Sequence, residues 1–418
     1  MELTESPDFE RVHRHITSIL PRLIRPPGPH FPHPWLTPSH GDGYANTMYY
    51  WDAHHIALRL AYDQKPEYLR YLVDNALAHQ AGSGFVPGVV HIHDGPAHTH
   101  PPWHAHPFMA QGAWLYVSRT DDRSWGERRL EPLRQYLAYY EARFSAPFGL
   151  FRWQAVFMGG MDNDVISFFQ PGTAITPDIN AWLWLEYQAL ANLAGRLGAG
   201  AAERECRDKA AALARAINQH LWLEEEQTYA AYNLCEGRLI LHLRERGARG
   251  AVQAPYAFQT ASNLIPLYAG VAPPDRAAAM LRRYVLSPEH FRSPHGIRSL
   301  SRASEYYNNA RRGNPPRFGY PDRLTNSNWQ GPVWIPLCYF MFNALLTYGF
   351  KKEAENLAAR TLRTLARSLE AIGSFTENYH GDTGEPGLAP AFGSWNVLAD
   401  IMPRELDGHR LGGGLTSV

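Results

Sequence analysis

The feature that most restricts the fold of this chain is an alternation between highly charged helical segments and segments without charge. Amphipathic candidates lie near residues 65–80, 124–143, 201–221, 274–286 and 351–371. Between them lie candidates without any Asp, Glu, Lys or Arg, near residues 102–118, 255–269, 329–349 and 390–399. A helix that is apolar on every side must be surrounded by protein, whereas one apolar stripe only covers a core. The alternation therefore predicts hairpins of one inner and one outer helix.

The number of these hairpins indicates the architecture. Candidates near 49–62 and 175–197 carry a few charges, and an opening helix is expected near 6–22. With them the count reaches six inner and six outer helices, which is typical of an all-α (α/α)6 barrel. A super-helical repeat array is the alternative, but no motif recurs at a fixed period. No segment has the composition of a linker, so we expect a single domain over residues 1–418.

The connections between the predicted helices are unequal in length. Those from an inner helix to its outer partner are short, whereas those from each outer helix to the next inner helix are long: 23–48, 81–101, 144–174, 222–254, 287–328 and 372–389. Long loops gathered at one rim of a barrel are where binding and catalysis usually occur. One of them contains residues 228–232 and 239–243, which could form a small β-hairpin.

Composition excludes several classes of partner. Lys+Arg and Asp+Glu number 40 each, without the basic excess of a nucleic-acid binder. The uncharged stretch 324–350 is interrupted by Asn, Gln and Pro, so we expect no membrane span. Three distant cysteines form neither a disulfide framework nor a metal quartet. The first residues lack the pattern of an export signal, which favours a cytoplasmic protein. The oligomeric state stays open, a homo-oligomer included.

Two of the long loops hold carboxylates among aromatic residues. Asp162 and Asp164 lie in FGLFRWQAVFMGGMDNDVISFF, and Glu377 lies in FTENYHGDTGEPG. Apolar surroundings disfavour the charged form of an acid and raise its pKa toward that of a general acid. Two such acids at one rim are what glycoside hydrolysis requires. The alternative is that aspartates in Gly-Asn loops only form turns.

Six short motifs together resemble a known family, glycoside hydrolase family 63, and more distantly the trehalases. In chain order they are Tyr50-Trp51-Asp52, Gly159-Gly160-Met161-Asp162-Asn163, Pro177-Asp178-Ile179-Asn180-Ala181, Asn328-Trp329-Gln330-Gly331-Pro332-Val333-Trp334, Glu377-Asn378-Tyr379 and Phe392-Gly393-Ser394-Trp395. The resemblance implies an (α/α)6 barrel and hydrolysis with inversion at the anomeric carbon. It covers nearly the whole chain.

The resemblance also implies roles for individual residues. Asp162 matches the general acid and Glu377 the general base, while Asp164 leaves the choice of aspartate slightly open. No cofactor is implied. The residues expected to bind the sugar are Trp51, Asp52, Gln111, Trp329, Gln330, Trp334, Tyr379 and Trp395. Core packing is the alternative for Trp329, Trp334 and Trp395, and capping of its helix is the alternative for Asp52.

The length of the chain narrows the expected substrate. It resembles compact bacterial members that include mannosylglycerate and glucosylglycerate hydrolases, so the expected partner is a small-molecule α-glycoside. A neutral α-glucobiose or trehalose is the second choice. A sugar epimerase or isomerase that uses histidines, or a barrel that binds sugar without catalysis, are the alternatives of another class.

Two further clusters invite other functions. Six histidines and Asp94 within residues 91–106 could bind a metal, but their spacing matches no helical zinc motif, so no metal is predicted. Loop 302–323 holds five arginines and three tyrosines. It could bind a substrate carboxylate through guanidinium forks, or pair internally with Glu305 and Asp322.

Overall fold

Helices make up most of the computed structural model, which describes residues 3–41, 43–99, 101–166, 172–240, 245–247, 250–252, 259–313, 327–406 and 408. In chain order the α-helices are α1 (Pro7–Leu23), α2 (Tyr50–Tyr62), α3 (Glu67–Leu77), α4 (Met109–Thr120), α5 (Arg123–Arg143), α6 (Pro177–Arg196), α7 (Gly200–His220), α8 (Ile265–Ala269), α9 (Pro274–Met280), α10 (Ile335–Thr347), α11 (Lys351–Ile372) and α12 (Met402–Leu406). A 3-10 helix, Ser394–Asp400, precedes α12, and a π-helical turn, Leu281–Val285, extends α9.

Six helical segments form an inner ring. Starting from α2, the order of contact is the Ser394–Asp400 helix, α10, α8, α6 and α4. The ring closes where Phe108, just before α4, stacks on His54 of α2 at 4.8 Å between ring centroids. Helices α1, α3, α5, α7, α9 and α11 lie outside this ring, so the predicted (α/α)6 barrel is confirmed.

The difference between inner and outer helices follows the charge pattern of the sequence. All twelve residues of α2 from Tyr50 to Ala61 are buried, as are the eleven residues of α10 from Ile335 to Leu345. Outer helix α11 buries only one side of its surface, where Leu357, Leu362 and Leu365 pack against the ring. A helix with few or no charges thus lies where protein surrounds it, and a highly charged helix lies where one face meets water.

Four predicted inner helices begin later or are shorter than expected. Helix α8 begins at Ile265, after a 3-10 turn over Ala261–Leu264, instead of at 255. Helix α4 begins at Met109 instead of 102, because Pro102 and Pro107 lack an amide hydrogen and hold the preceding residue extended. Helix α10 begins at Ile335 instead of 329, after Gly331 and Pro332. The candidate at 390–399 is a 3-10 helix of seven residues.

The long loops contain short strands. They are β1 (Ile24–Arg25), β2 (Trp35–Leu36), β3 (Thr47–Tyr49), β4 (Val89–His91), β5 (Gly95–Pro96), β6 (Ala174–Ile175), β7 (Trp222–Leu223), β8 (Thr228–Tyr229), β9 (Ala231–Asn233), β10 (Arg238–Ile240), β11 (Glu245–Gly247), β12 (Gly250–Val252), β13 (Arg292–Ser293) and β14 (Gly296–Ile297). The predicted hairpin is present: β9 and β10 pair antiparallel with Ala231 opposite Ile240, and β6 adds a third strand. Its expected continuation at 241–243 lies outside the described residues.

The chain direction explains where the loops meet. Each long loop enters an inner helix at its N-terminal end, so loops before α2, α4, α6, α10 and the Ser394–Asp400 helix gather at one rim. The antiparallel pairing of β3 with β4 ties the loops before α2 and α4 together, and β5 pairs with β4 within the second of these loops. None of the helices in the described part of the chain combines the length and the apolar character needed to cross a bilayer.

Candidate active site

A cavity of about 270 Å³ opens at the rim where the long loops meet. The residues that line it come from loops far apart in sequence and are mostly aromatic, acidic or hydroxylated. They are Pro38, Tyr44, Tyr49, Tyr50, Trp51, Asp52, Gly88, Thr99, Trp103, His106, Phe157, Gly160, Asp162, Ser327, Glu377, Phe392 and Trp395. Aromatic walls with a few converging polar groups are typical of a small-molecule site.

Asp162 reaches this cavity from a tight turn. The turn depends on Gly160, whose φ of +73° is rarely adopted by residues with a side chain. A Cβ on Gly160 would also lie 3.0 Å from Nε2 of His106. Burial raises the pKa of the Asp162 carboxyl to about 6, although a hydrogen bond with Ser327 opposes the shift. The carboxyl therefore keeps a proton closer to neutral pH than an exposed aspartate does.

Asp164 has a different environment. Its carboxylate accepts a hydrogen bond from the backbone amide of Ile166 at 3.1 Å, and it is not among the residues that line the cavity. The turn alternative raised from sequence thus describes Asp164, while Asp162 is the aspartate of this loop that faces the cavity.

Glu377 faces Asp162 across the same cavity and is almost completely buried. Its Oε1 accepts hydrogen bonds from the hydroxyls of Tyr44 at 3.4 Å and Ser327 at 3.5 Å. Its Oε2 has no hydrogen-bond partner among the described residues. Burial, followed by the negative charges of Asp162 and Asp52, raises the pKa of Glu377 to about 8. The free Oε2 is a suitable acceptor for a water molecule.

Asp52 supplies a third carboxylate. It lies in the first turn of α2, but its side chain accepts a hydrogen bond from Ser394 Oγ at 2.6 Å instead of capping the helix. Burial raises the pKa of Asp52 to about 7, with the Ser394 hydrogen bond opposing the shift. Its neighbour Trp51 lines the cavity edge-on to Trp182 and Phe340.

The charge of the cavity is one-sided. Three acids line it, whereas no Lys or Arg does within the described part of the chain. Burial is the first cause of every one of the three raised pKa values. Because like charges this close cannot all ionise readily, the three groups share protons around neutral pH.

Comparison with known proteins now identifies the family. Residues 44–395 match the model of the mannosylglycerate hydrolase MGH1-like glycoside hydrolase domain. The chain belongs to this family. The resemblance to family 63 glycoside hydrolases that the motifs carried is thereby confirmed. The matched range begins at Tyr44 and ends at Trp395, both of which line the cavity.

Individual relatives agree with the family. The mannosylglycerate hydrolase of Rubrobacter radiotolerans is 29% identical over 229 residues, which are 53% of this chain and 42% of that protein's length. The structure of a family 63 mannosylglycerate hydrolase from Thermus thermophilus with glucose has a TM-score of 0.71 at 19% identity, covering 94% of this chain and 99% of that one. The same enzyme with Tris and D-glycerate also gives 0.71, at 18% identity and the same coverage.

A more distant neighbour matches the expected clan. A neutral trehalase from Saccharomyces cerevisiae has a TM-score of 0.64 at 15% identity, covering 91% of this chain and 75% of that chain. At such identities these structures establish the barrel fold of the MGH1-like domain and leave its chemistry to be argued from the cavity.

Half of the predicted site residues lie behind the cavity instead of in it. Trp329 and Trp334 stack on each other at 4.0 Å between ring centroids, and both are buried. Gln330 donates from Nε2 to the backbone oxygen of Asn163 at 3.0 Å. Asn163 in turn accepts the backbone amide of Trp329 on its side-chain oxygen at 2.6 Å. This motif therefore clamps the turn that carries Asp162.

Two other predicted binders are used inside the barrel. The amide of Gln111 donates to the carbonyl of Pro107 at 2.8 Å and to Glu186 at 3.2 Å, so it does not read a ligand in the described cavity. The hydroxyl of Tyr379 donates to Asn396 at 3.1 Å and is fully buried. Both are contacts that position loops, which motif matching cannot separate from contacts with substrate.

Sequence reasoning missed several lining residues. Tyr44, Tyr49 and Ser327 carry hydroxyls into the cavity, and Phe157 and Phe392 add rings. Phe392 belongs to a quoted motif and the others lie within six residues of one, which was the available signal. The direction of a loop side chain depends on tertiary contacts, so the sequence alone did not select them.

The histidine-rich loop of the MGH1-like domain is divided between core and cavity. His104 is enclosed by the rings of Tyr136, Tyr139 and Tyr140, whereas His106 lines the cavity. His91 pairs with Thr47, and His100 lies outside the described residues. Among the residues that the structure describes, no three His, Cys, Asp or Glu side chains converge in a way that could hold a metal ion.

The arginine- and tyrosine-rich loop is described only up to residue 313. Arg302, Arg311 and Arg312 are exposed and do not line the cavity, and Arg311 reaches the carbonyl of Gly387. Tyr307 bonds Asp382. The predicted arginines at 317 and 323, with Tyr320 and Asp322, lie outside the described residues, so carboxylate binding by this loop stays a prediction.

Proposed function

We propose that this chain is an inverting α-glycosidase that hydrolyses a small α-glycoside, with mannosylglycerate or glucosylglycerate as the preferred class of substrate. The observation that supports this function most directly is the pairing of Asp162 and Glu377 in one aromatic cavity. The raised pKa of Asp162 suits a proton donor, and one oxygen of Glu377 has no partner among the described residues, which suits a group that takes a proton from water.

The reaction follows from this pairing. Asp162, in its protonated form, donates its proton to the glycosidic oxygen as the bond to the anomeric carbon breaks. Glu377, in its ionised form, takes a proton from a water molecule at Oε2 as that water attacks the opposite face of the sugar. Residues that position the sugar would be Trp51, Asp52 and Trp395. The scheme uses no cofactor and no metal.

The substrate class rests on the relatives. The Rubrobacter and Thermus proteins carry the name mannosylglycerate hydrolase, and the Thermus enzyme was crystallised with D-glycerate. A glycerate carboxylate requires a donor, and in this chain Tyr49 carries a hydroxyl at the cavity wall, whereas the hydroxyl of Tyr44 already donates to Glu377. The predicted arginines of 314–326, Arg317 and Arg323, are the candidates for a charged contact.

One observation favours a second candidate, a neutral α-glycoside such as trehalose or an α-glucobiose. The described cavity lining contains three acids and no Lys or Arg, which suits an uncharged aglycone better than an anion. One experiment distinguishes the two classes of substrate. Replacing Arg317 and Arg323 by Ala should raise KM for mannosylglycerate at least tenfold, while Arg312→Ala should not. If the activity is on neutral glycosides, neither replacement should change KM.

Proton NMR of the purified protein with each glycoside tests the function as a whole. Early spectra showing the β-anomer from an α-glycoside would support inversion and name the substrate. Release of the α-anomer first would contradict the inverting mechanism. Glu377→Gln should abolish hydrolysis. A sugar epimerase based on histidines would keep its activity in that variant, but His106 is the only histidine among the described residues that lines the cavity.

Three wider predictions belong to the same proposal. The catalytic unit is expected to be one domain over 1–418, and one continuous cluster of buried side chains from Phe9 to Met402 supports this. A cytoplasmic location and self-association stay predictions. Fractionation of cells and sedimentation of the purified chain would test them.

A further inference from the structure

Ser327 lies between the two carboxyls of the proposed reaction. It lines the cavity, and its side chain is only 7% exposed. Its hydroxyl donates to Oε1 of Glu377 at 3.5 Å and also hydrogen-bonds the carboxyl of Asp162. A single hydroxyl thus contacts both the acid and the base.

One turnover of the proposed reaction changes the protonation states of both carboxyls that Ser327 contacts. Inverting hydrolysis leaves Asp162 ionised, because its proton has gone to the leaving oxygen. It leaves Glu377 protonated, because Glu377 has taken a proton from water. The next turnover needs the opposite arrangement, so one proton must return from the base to the acid. No net proton is gained or lost in this return.

A serine hydroxyl can accept one hydrogen bond while it donates another, so one hydroxyl can link a protonated carboxyl to an ionised one. The proton taken up at Oε2 reaches Ser327 when the carboxyl of Glu377 rotates about its Cγ–Cδ bond, because Ser327 contacts the other oxygen, Oε1. The protonated Glu377 then donates to Oγ of Ser327, and the O–H of Ser327 is free to donate to Asp162. Transfer along both hydrogen bonds breaks the O–H bond of Glu377 and forms one on Asp162. Ser327 loses one proton and gains another, so its state is unchanged.

We propose that Ser327 positions the acid and base carboxyls of this site and relays the proton from Glu377 back to Asp162 after each turnover. This inference rests on the proposed hydrolysis. It assigns Ser327 as a positioning residue, since the hydroxyl acts through the two carboxyls and not on the sugar.

Other ionisable groups face the same space and could modify the relay. Asp52 on α2 adds negative charge beside Glu377, and Tyr44 bonds the same Oε1 as Ser327. Tyr49 at the end of β3 and His106 before α4 line the remaining wall. All four residues are unchanged in the Ser327 variants, so their contribution is the same in every variant.

The test compares a single turnover with repeated turnover on whichever glycoside the intact chain hydrolyses. In Ser327→Ala the loss of the positioning contact should slow the first turnover by about threefold. The steady-state kcat should fall about tenfold or more, so rapid quenching should reveal a burst of one product per active site. Formate or imidazole in the buffer should restore kcat by carrying the proton instead.

The matched control is Ser327→Thr, which keeps the hydroxyl and should show neither the burst nor the rescue. If Ser327→Ala does not fold, Ser327→Cys, which offers only a weak donor, carries the same comparison. An equal loss in the first and later turnovers, insensitive to buffer, would overturn the relay. Unchanged kinetics in Ser327→Ala would overturn both the relay and the positioning.

A measurement without substrate separates this inference from the proposed function. Infrared titration of the ¹³C-labelled carboxyls should show that Ser327→Ala raises the pKa of both Asp162 and Glu377, because the hydroxyl stabilises both ionised forms. If these shifts occur but no glycoside is hydrolysed, the proposed function fails and the relay fails with it. The hydrogen bonds from Ser327 to both carboxyls are then still supported. If neither pKa changes, Ser327 does not hydrogen-bond both carboxyls, whatever the activity of the variant.

Discussion

Trp395 donates its indole N–H to the backbone carbonyl of Glu377 at 3.0 Å. The same ring lines the cavity and packs on Trp334 and Phe392. One residue therefore forms part of the cavity wall and also fixes the backbone of the proposed base. Because Ser394 beside it bonds Asp52, the start of the Ser394–Asp400 helix holds two of the three cavity carboxylates.

Trp395→Phe tests this relationship, since it keeps an aromatic ring and removes the indole donor. A hydrogen bond of this kind contributes about 1 kcal/mol, so we expect kcat to fall about fivefold or more. Trp222→Phe is the control, because it also removes an indole donor, to Glu224, but far from the cavity. Equal effects of the two variants on kcat would show that the contact does not position Glu377.

Gly160→Ala should inactivate the enzyme. The added Cβ would lie 3.0 Å from His106 and would also be strained by the positive φ, so the turn that carries Asp162 must shift. Gly149→Ala is a matched control, since its φ of +72° brings the same strain but nothing lies within 4 Å of its Cβ. Both variants should lose about 1 kcal/mol of stability, and only Gly160→Ala should lose kcat, about a hundredfold. A fully active Gly160→Ala would argue against Asp162 as the acid.

The stability of the protein should depend on pH through Glu377. Its pKa is raised to about 8 in the folded state from 4.5, so the folded state binds the proton more tightly. This contribution is fully present below pH 4.5 and is lost as the pH rises to about 8. Urea unfolding should show that Glu377→Gln and wild type differ little at about pH 5.

At about pH 8 the stabilities of Glu377→Gln and wild type should differ. Glu377→Gln should be the more stable protein, by an amount on the order of a few kcal/mol, because it has no proton to lose. Glu131→Gln, an exposed change on α5, should follow the wild-type curve. A wild-type free energy of unfolding that rises between about pH 5 and 8, with Glu377→Gln following it, would contradict the raised pKa.

Ser394→Ala should reduce the contribution of Asp52 to activity. Without the Ser394 hydrogen bond the pKa of Asp52 rises further, so less of it is ionised near neutral pH. A hydrogen bond to a charged group contributes about 1.5–3 kcal/mol, so kcat/KM near neutral pH should fall roughly tenfold or more. Ser262→Ala removes an equivalent bond to Asp178, at 2.9 Å, away from the cavity. That control should lower stability without changing kcat/KM. A similar loss of kcat/KM in both variants would show that Asp52 does not act in the site.

Much of the architecture was predictable because it depends on local composition. A helix without charge must be buried, and that rule placed α4 and α10 in the inner ring, whereas α2 and α6, which carry a few charges, were placed there by the alternation of segments. The rule did not give the starting residues of α4 and α10, which prolines and a constrained glycine delay by several residues. Proline geometry acts on a residue and its neighbour, so apolar periodicity does not detect it.

The candidate site was predictable to a smaller extent. Motifs indicated Asp162, Glu377, Asp52, Trp51 and Trp395, and the structure brings all five to one cavity. The same motifs also indicated Trp329 and Gln330, which lie behind the cavity and hold the turn of Asp162. A motif records that residues are needed together, whether they contact the substrate or position a neighbour.

The sequence by itself determined which segments are buried, how many hairpins the barrel has, and which loops carry acids. These properties follow from the residue types along each segment and from the direction of the chain. Only the tertiary structure decided that Ser327 lies between Asp162 and Glu377, and that burial raises the pKa of three carboxyls in one cavity. Such relations join loops that are far apart in sequence, and they arise when the ring of inner helices closes.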